Sequence, residues 1–360
     1  MNQIHRQSVL KHAKKKFGCD TVAAFNPENI FYFTGFWGEG IAICNEDGKT
    51  TLITPRLEAD RASNTSKDCE IVPTERGGNL ISHFVSSIKN RKTCIDSIDN
   101  SIFHTVQQML KNPRFLLSTN EPFYEARMIK DNEEISAISK TANILDKLYE
   151  ICTEKIREGM SERELEASLV YQGLKMGASP PSYKWTLDPL IIASGPNGAL
   201  PHAQITDRRF KSGDMIIVDL TLRHGAYIAD ATRTFGLGSI SSDMRRVYDV
   251  VQESQEAGVK AVSEEVRCGR IDQICRKAIK QSGFNAFFVH ATGHGIGLDV
   301  HEPPWLRSMN RQKLKKNMAV TIEPGIYLQD RFGVRIEDSV IVTGGVKNLS
   351  RFTKDLVITG

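Results

Sequence analysis

No stretch of this sequence is apolar for long enough to span a membrane, and no continuous apolar centre of a secretory signal peptide is present. The basic segment at residues 1–17 carries polar and charged side chains throughout, which predicts a surface helix. Low-complexity segments and tandem repeats are also missing. We therefore expect a cytoplasmic globular protein that does not enter membranes.

Cysteine and concentrated positive charge are both scarce. The seven cysteines are scattered and include no C-x-x-C pair, which predicts a reducing compartment and argues against a zinc knuckle. A net charge of +4 is spread over small clusters, of which Lys14–Lys16 is the densest. Because no long basic tract is present, we expect no nucleic-acid partner.

The chain of 360 residues is longer than one hydrophobic core usually supports, so two domains are expected. In the first third, short apolar runs such as residues 41–44 alternate with helical patterns, which indicates an α/β domain. Near Pro122 the pattern changes to a long helix over residues 132–156. We expect an α/β (α+β) protein with domains at residues 1–125 and 126–360.

The second domain is expected to combine helices with apolar strands separated by glycine-rich turns. Its second helix, over residues 161–176, opens with Ser161 and Glu164. A serine followed three residues later by glutamate is typical of a capping box, which predicts the start of this helix.

Residues 215–235, MIIVDLTLRHGAYIADATRTF, read as two apolar strands that each carry an aspartate. We predict a two-residue loop at His224–Gly225, which would place Asp219 directly opposite Asp230 on one buried face. Opposed side chains lie ~5 Å apart, and two such charges repel by roughly 3 kcal/mol at an effective dielectric of about 20. The pair therefore needs a positive partner.

Two C-terminal strands repeat this arrangement, since MAVTIEPGIYL and FGVRIEDSVIVTGG each hold one glutamate. Glu323 and Glu337 are symmetric about Asp330, so a hairpin centred there would bring them together. The Pro324–Gly325 pair is expected to distort the ladder.

One buried carboxylate is at least as often a structural hydrogen-bond acceptor as a functional group, but four together need counter-charge. The two segments hold only three arginines, and Arg223 is expected at the turn, away from the aspartates. Two bound divalent cations would balance the four carboxylates.

Between the hairpins lies ATGHGIGLDVHEPP, with His294 in a glycine frame and His301 seven residues later. Glycine lets the backbone approach a ligand closely. A lone histidine is most often a core residue, yet the four carboxylates favour a metal-ligand role for His294. Oxygen-rich ligands with one imidazole suit Mn²⁺, Co²⁺ or Fe²⁺ better than a thiolate-type zinc site.

Five candidate ligands follow one another along the chain: Asp219, Asp230, His294, Glu323 and Glu337. With G-H-G-I-G-L-D-V-H-E and T-I-E-P-G-I-Y around them, they resemble the pita-bread metallopeptidases, namely prolidase, aminopeptidase P and methionine aminopeptidase. The match covers about residues 126–360, and the preceding domain resembles the creatinase-like N-terminal domain of the first two. The resemblance implies an Xaa-Pro dipeptidase (prolidase) that acts on small peptides with proline second, and a homodimer.

The resemblance also implies roles for individual ligands. Asp219 would hold one ion, His294 and Glu323 the other, and Asp230 and Glu337 would bridge the two. An activated water would attack the scissile carbonyl, and Glu323 would carry a proton to the leaving nitrogen. Mn²⁺ or Co²⁺ is expected, with Fe²⁺ and Zn²⁺ as alternatives.

Further residues match supporting positions of the family. His301 and His202, the latter in G-A-L-P-H, match histidines that bind substrate and steady the tetrahedral intermediate. Thr232 matches a position beside the bridging aspartate. For His290, support of a ligand and plain packing are equally open, and His224 is assigned to the turn.

Three alternatives fit less well. Methionine aminopeptidase leaves the first 125 residues unexplained, and creatinase shares both domains but works without metal. A non-enzymatic binding protein on the same fold would typically have lost ligands, whereas all five are present here. Aminopeptidase P, which acts on longer peptides, is the main alternative to the dipeptidase.

The choice between these two depends on how the carboxylate of a terminal proline is bound. Some prolidases that resemble this chain carry an arginine four residues after the second histidine, where this chain has Trp305. The nearest arginine is Arg307, so we expect Arg307, His202 or both near the carboxylate.

Overall fold

The computed structural model of this chain describes residues 2–110, 112–182, 188 and 190–360. Its contacts divide it into two units, Met1–Arg127 and Met128–Gly360. The two units share no sheet among the described residues, and each has its own hydrophobic core. Within the described ranges, no helix combines the length and the apolar character that crossing a bilayer requires.

The described residues of the first unit form one mixed sheet. Its strands are β1 (Thr21–Ala24), β2 (Ile41–Asn45), β3 (Thr50–Pro55), β4 (Glu70–Thr74), β5 (Thr93–Ile95) and β6 (Leu116–Ser118). They lie in the order β4-β3-β2-β1-β5-β6, in which β2 is antiparallel to both neighbours and the other pairs are parallel. Its helices are α1 (Asn2–Phe17), α2 (Pro27–Thr34), α3 (Ala59–Thr65), α4 (Gly78–Ser87), α5 (Asn100–Met109) and α6 (Glu121–Arg127).

The core of the first unit lies between the sheet and its helices. Ile43 and Ile53 of the sheet belong to one buried cluster with Phe84 of α4 and Val106 of α5. The alternation of strands and helices predicted for this part of the chain is confirmed.

Among its described residues, the second unit has four long helices and three sheets. Its helices are α7 (Asn132–Lys155), α8 (Glu162–Lys175), α9 (Ser242–Lys260) and α10 (Cys268–Gln281). Its strands are β7 (Ile191–Ser194), β8 (Met215–His224), β9 (Tyr227–Leu237), β10 (Gly293–Gly295), β11 (Glu302–Leu306), β12 (Ala319–Ile322), β13 (Gly325–Leu328), β14 (Phe332–Arg335), β15 (Asp338–Val342), β16 (Val346–Asn348) and β17 (Ile358–Thr359). The sheet orders are β17-β9-β8-β7, β11-β10-β12-β15-β16 and β13-β14.

Side-chain caps fix the starts of the first two helices of this unit. Asp131 accepts a hydrogen bond from the backbone N–H of Glu134, whose carboxylate accepts from the N–H of Asp131. Ser161 and Glu164 make the same reciprocal pair before α8, which confirms the predicted capping box.

The helices cover the outer faces of the strands that carry the candidate ligands. Tyr149 of α7 is fully buried and donates its hydroxyl to the carbonyl of Ala231 in β9. On the other side, Val251 of α9 and Ile271 of α10 share a core cluster with Ile322 of β12. The polar positions of these strands are thereby left facing a cavity inside the unit.

Candidate active site

The first hairpin brings Asp219 and Asp230 onto one face, although its loop is not the predicted one. The loop is Gly225–Ala226, with φ of 56° and 75°, because a tight turn of this kind needs two left-handed residues. The predicted His224–Gly225 loop and the direct pairing of the two aspartates are therefore wrong.

The observed register pairs Asp219 with Thr232 and Thr221 with Asp230. A shift of two residues keeps every side chain on its own face, so the aspartates are diagonal neighbours. The Thr221 hydroxyl donates to Asp230 Oδ1 over 2.8 Å.

The second pair of strands places Glu323 and Glu337 at an interruption between two ladders. Strands β13 and β14 pair Gly325 with Arg335, and β12 and β15 pair Ile322 with Asp338. Both ladders are symmetric about residue 330, which confirms the predicted centre of the hairpin. The predicted distortion at Pro324–Gly325 is also confirmed, because neither ladder includes Pro324.

His294 completes the cluster from β10. Its Nε2 lies 3.4 Å from Glu323 Oε1 and 4.0 Å from Asp230 Oδ2. Its Nδ1 lies 3.0 Å from the carbonyl oxygen of Gly295, which assigns the proton to Nδ1 and leaves the Nε2 lone pair facing the carboxylates. Burial lowers the pKa of His294 to about 3, and nearby His301 adds to this shift, so the ring is neutral.

The carboxylates repel one another in a buried site. Burial, followed by the charge of Asp219, raises the pKa of Asp230 well above its usual value. Burial, followed by Asp230 and Glu323, does the same to Glu337, and burial raises the pKa of Glu323 to about 8. Such shifts indicate that the cluster requires additional positive charge at neutral pH.

Two oxygens of the cluster have no donor within the described part of the chain. They are Asp219 Oδ1 and Glu337 Oε1, both buried. Ligand atoms of Asp230, His294 and Glu337 also lie within 4.8 Å of one another. Orphaned carboxylate oxygens beside a neutral imidazole lone pair suit divalent cations, so the residues fit the expected metals.

Arg335 supplies counter-charge that the sequence does not predict. Its Nη2 lies 2.6 Å from Asp219 Oδ2, while Arg233 pairs with Asp338 and Arg223 donates to a backbone carbonyl. One of the four carboxylates is therefore already paired. Arg335 stands two residues before Glu337 in an extended segment, and this period of two is the signal that places both side chains on one face.

A polar chain leads outward from Arg335. Its Nη1 donates to the Tyr327 hydroxyl over 2.7 Å, and that oxygen lies 2.9 Å from His290 Nε2. His290 Nδ1 lies 2.8 Å from the Ala291 carbonyl, and burial lowers the pKa of His290 to about 3. Of the two roles left open for His290, the contacts favour support of the cluster through Tyr327, a residue not singled out in the sequence.

Thr232 lies between Arg335 and a candidate bridging ligand. Its hydroxyl donates to Glu337 Oε2 over 2.7 Å and accepts from Arg335 Nε over 3.1 Å. The hydroxyl therefore holds one oxygen of Glu337 and leaves Oε1 facing the cluster.

A cavity of about 230 Å³ opens over the cluster. All five candidate ligands line it, together with His202, His290, His301, Trp305 and Arg335. The His301 ring lies 4.3 Å from the His294 ring, centroid to centroid, and is stacked at 20° on Trp305. Burial lowers the pKa of His301, so the ring is neutral near pH 7 with one N–H to donate.

Two sequence-predicted residues are placed elsewhere. Arg307 is exposed and is not among the described residues of the cavity wall. His224 is the last residue of β8 and pairs with Tyr227, so it lies beside the turn and not in the predicted loop. The structure therefore brings together every predicted site residue except Arg307.

The cavity, in whose wall four carboxylates and the His294 imidazole lie together, fits a metal-dependent enzyme. Residues 136–344 match the family model described as metallopeptidase family M24, and residues 6–129 match the creatinase/prolidase N-terminal domain. The chain belongs to metallopeptidase family M24. Its family implies divalent metal ions, and the creatinase-like and pita-bread fold expected from the sequence is confirmed.

Several proteins are similar over nearly the whole length of the chain. An Xaa-Pro dipeptidase from Pyrococcus furiosus is 34% identical and covers 94% of this chain and 95% of its own. A solved Xaa-Pro dipeptidase from Bacillus anthracis has a TM-score of 0.91 at 29% identity. The match covers 99% of this chain and 100% of the Bacillus chain. A solved X-Pro aminopeptidase from Thermotoga maritima has a TM-score of 0.84 at 30% identity. The match covers 96% of this chain and 99% of the Thermotoga chain.

Proposed function

We propose that this chain is a cytoplasmic Xaa-Pro dipeptidase that works with two divalent metal ions. The observation that carries the proposal is the cluster of four carboxylates and His294, which has more negative charge than Arg335 balances and opens to a cavity of peptide size. The full-length similarity to an Xaa-Pro dipeptidase supports the substrate class. All seven cysteines are free, in keeping with a reducing compartment.

The residues present would divide the metals between them. Asp219 would hold one ion, His294 and Glu323 the other, and Asp230 and Glu337 would be shared. When bound, the ions would supply an activated water at neutral pH and polarise the scissile carbonyl. Mn²⁺ or Co²⁺ is proposed, with Fe²⁺ and Zn²⁺ as alternatives, because the donors are mostly carboxylate oxygens.

The protein's own side chains would handle the protons and orient the peptide. Glu323 lies at the cavity wall and would carry a proton to the leaving proline nitrogen. His301, whose ring is neutral, and His202 would donate hydrogen bonds to substrate oxygens as negative charge develops there. Arg335 and Thr232 would keep Asp219 and Glu337 in place through the bonds described above.

A direct test is the hydrolysis of a panel of Xaa-Pro, Xaa-Ala and Xaa-Pro-Yaa peptides by the Mn²⁺- or Co²⁺-loaded protein. Xaa-Pro dipeptides should be cleaved fastest and Xaa-Ala dipeptides hardly at all. Cleavage that ignores proline would reject the proposal. Light scattering on the same sample would test the homodimer, which the family resemblance alone supports.

Aminopeptidase P activity is the second candidate, and one observation favours it. Within the described wall of the cavity, Arg335 is the only guanidinium or ammonium group, and its bonds already go to Asp219, Tyr327, Thr232 and the Pro201 carbonyl. A dipeptide carboxylate would need its own charged partner. Faster cleavage of Xaa-Pro-Yaa than of Xaa-Pro would establish this alternative.

Replacing His301 with alanine should keep both metals but lower turnover on Xaa-Pro substrates by roughly 10²–10³-fold, the usual cost of losing one oxyanion donor. The reason is that His301 lies in the cavity wall beside the His294 ring but is not one of the proposed metal ligands. Its proposed contact is with the substrate. Steady-state kinetics and elemental analysis measure the two effects. Wild-type turnover, or loss of metal, would remove His301 from this role.

Replacing Arg307 with alanine should leave the ratio of dipeptide to tripeptide cleavage unchanged, because Arg307 is exposed outside the described cavity wall. If Arg307 does reach the proline carboxylate, kcat/KM for dipeptides should instead fall by about 1.5–3 kcal/mol in free-energy terms while tripeptides are spared. Competing hydrolysis of Xaa-Pro and Xaa-Pro-Yaa by the variant decides between these results.

A further inference from the structure

The segment that carries His202 has little regular structure of its own. After β7 it consists of one 3-10 turn, Gly195–Ala199, and then irregular backbone through Thr206. Pro201 and His202 line the cavity, yet His202 itself is exposed. An exposed histidine on irregular backbone keeps a fixed orientation only if the segment is anchored from outside.

Glu162, the first residue of α8, provides such an anchor. Its Oε1 accepts from the backbone N–H and the hydroxyl of Ser194, both over 2.7 Å. Its Oε2 accepts from Asn197 Nδ2 over 2.9 Å, and from the Thr206 N–H and hydroxyl over 2.9 and 2.7 Å. One carboxylate therefore joins the two ends of the segment and a point inside it.

The charge of Glu162 is held by neutral donors. The side chain is 0% exposed, and no described lysine, arginine or histidine forms an ion pair with it. The Arg208 guanidinium is linked to the Glu162 carboxylate through the Ser194 hydroxyl, which accepts from Arg208 Nη1 over 2.7 Å. A buried carboxylate is stable in this form only while its donors stay in place, so the segment and the charge stabilise each other.

The middle of the segment is fixed at the metal-ligand cluster. The Pro201 carbonyl accepts from Arg335 Nη1 over 3.1 Å, and Arg335 also holds Asp219. The backbone of Gly198 packs closely on Gly333, where an added Cβ would lie 2.0 Å from the Gly198 oxygen. Glu162 thus holds both ends of the segment, and Arg335 holds the backbone next to His202.

Capping of α8 does not explain Glu162. The cap is made by Ser161 and Glu164, whose side chains bond each other's backbone N–H groups. Glu162 points away from that pair and into the segment after β7. We propose that Glu162 is a positioning residue for His202, setting the substrate contact of that histidine through the segment 194–206; this rests on the proposed role of His202 in binding peptide.

Glu162→Gln in the metal-loaded full-length enzyme is the main test. An amide keeps the shape of the carboxylate but replaces one of its two acceptor oxygens with an NH2 group. That group would face hydrogen-bond donors, so several of the five bonds cannot form. We expect kcat/KM for Xaa-Pro to fall roughly tenfold, carried mainly by KM, with metal content unchanged. Amide hydrogen exchange in the segment 194–206 should speed up while the strands of the cluster stay protected.

A double-mutant cycle separates positioning from general destabilisation. In a His202→Ala background, Glu162→Gln should cost less than about twofold, since two residues that act through one contact are not additive. Thr206→Val removes the hydroxyl that donates to Glu162 and accepts from the Arg208 N–H, and it leaves the other four bonds to Glu162 in place. It should give the same pattern at roughly threefold and serves if Glu162→Gln folds poorly. Glu164→Gln is the matched control, because it changes an exposed carboxylate of the same helix and should leave both KM and exchange in the segment as in the wild type.

Unchanged KM and exchange in Glu162→Gln would overturn the proposal, as would an equal loss with and without His202, or a silent His202→Ala. Failure of the proposed function is recognised separately, because the wild type would then cleave no Xaa-Pro peptide. In that case the exchange experiment still decides whether Glu162 anchors the segment.

Discussion

Stripping the enzyme with a chelator should abolish hydrolysis of Xaa-Pro peptides, and Mn²⁺ or Co²⁺ should restore it. Asp219, Asp230, Glu323 and Glu337 share a buried site in which Arg335 balances only one charge. The bound ions would supply the activated water, so removing them would forfeit several kcal/mol of charge stabilisation, which corresponds to roughly 10³-fold or more in rate. Turnover before and after dialysis, together with metal content, measures the effect.

About two ions per chain at full activity would agree with the proposed ligand set. The chelated protein should retain its secondary structure by circular dichroism, which separates loss of metal from loss of fold. Full activity in demonstrably metal-free protein would reject the mechanism and favour a metal-independent relative such as creatinase.

Removing charge from either of the two positions proposed to be shared between the ions, by Asp230→Asn or Glu337→Gln, should lower both metal content and turnover. Each residue offers an oxygen to the region between the proposed ions, and Glu337 Oε1 has no donor within the described residues. Each substitution replaces a charged carboxylate ligand with a neutral amide and so weakens one bond to the metal. We expect at least a hundredfold loss of activity at limiting metal. Asp188→Asn is the matched control, because Asp188 lines the same cavity outside the ligand set and should keep the metal.

The same variants should change stability in opposite directions with and without metal. In the metal-free protein, burial and neighbouring carboxylates raise the pKa of Glu337 well above its usual value. At neutral pH the folded state must therefore either keep a repelled charge or take up a proton, and both cost folding free energy. Glu337→Gln should therefore raise the Tm of the metal-free protein, by roughly 2–4 °C for each kcal/mol of repulsion relieved. With saturating Mn²⁺ the order should reverse, because metal bound only to the folded state stabilises the wild type more. A variant with wild-type metal content and no change in either Tm would show that the ligand assignment is wrong.

The sequence alone determines which side chains can form the cluster. Side chains alternate along extended backbone, so the faces of Asp219 and Asp230 follow from local geometry and survive a two-residue error in the loop. The centre of the second hairpin at Asp330 and the caps of α7 and α8 are local in the same sense. These features depend on residues a few positions apart, where covalent geometry leaves few choices.

The tertiary structure alone decides which distant groups meet. The turn conformation of Gly225–Ala226 set the register of the first hairpin, and no periodicity in the sequence distinguishes it from the loop one residue earlier. Arg335 meets Asp219 across 116 positions, and Arg307, which is nearer to His301 in sequence, lies outside the described cavity wall. Glu162 likewise reaches Thr206 across 44 positions. Contacts at such separations depend on how whole sheets and helices pack, and packing is a property of all the side chains together rather than of any one motif.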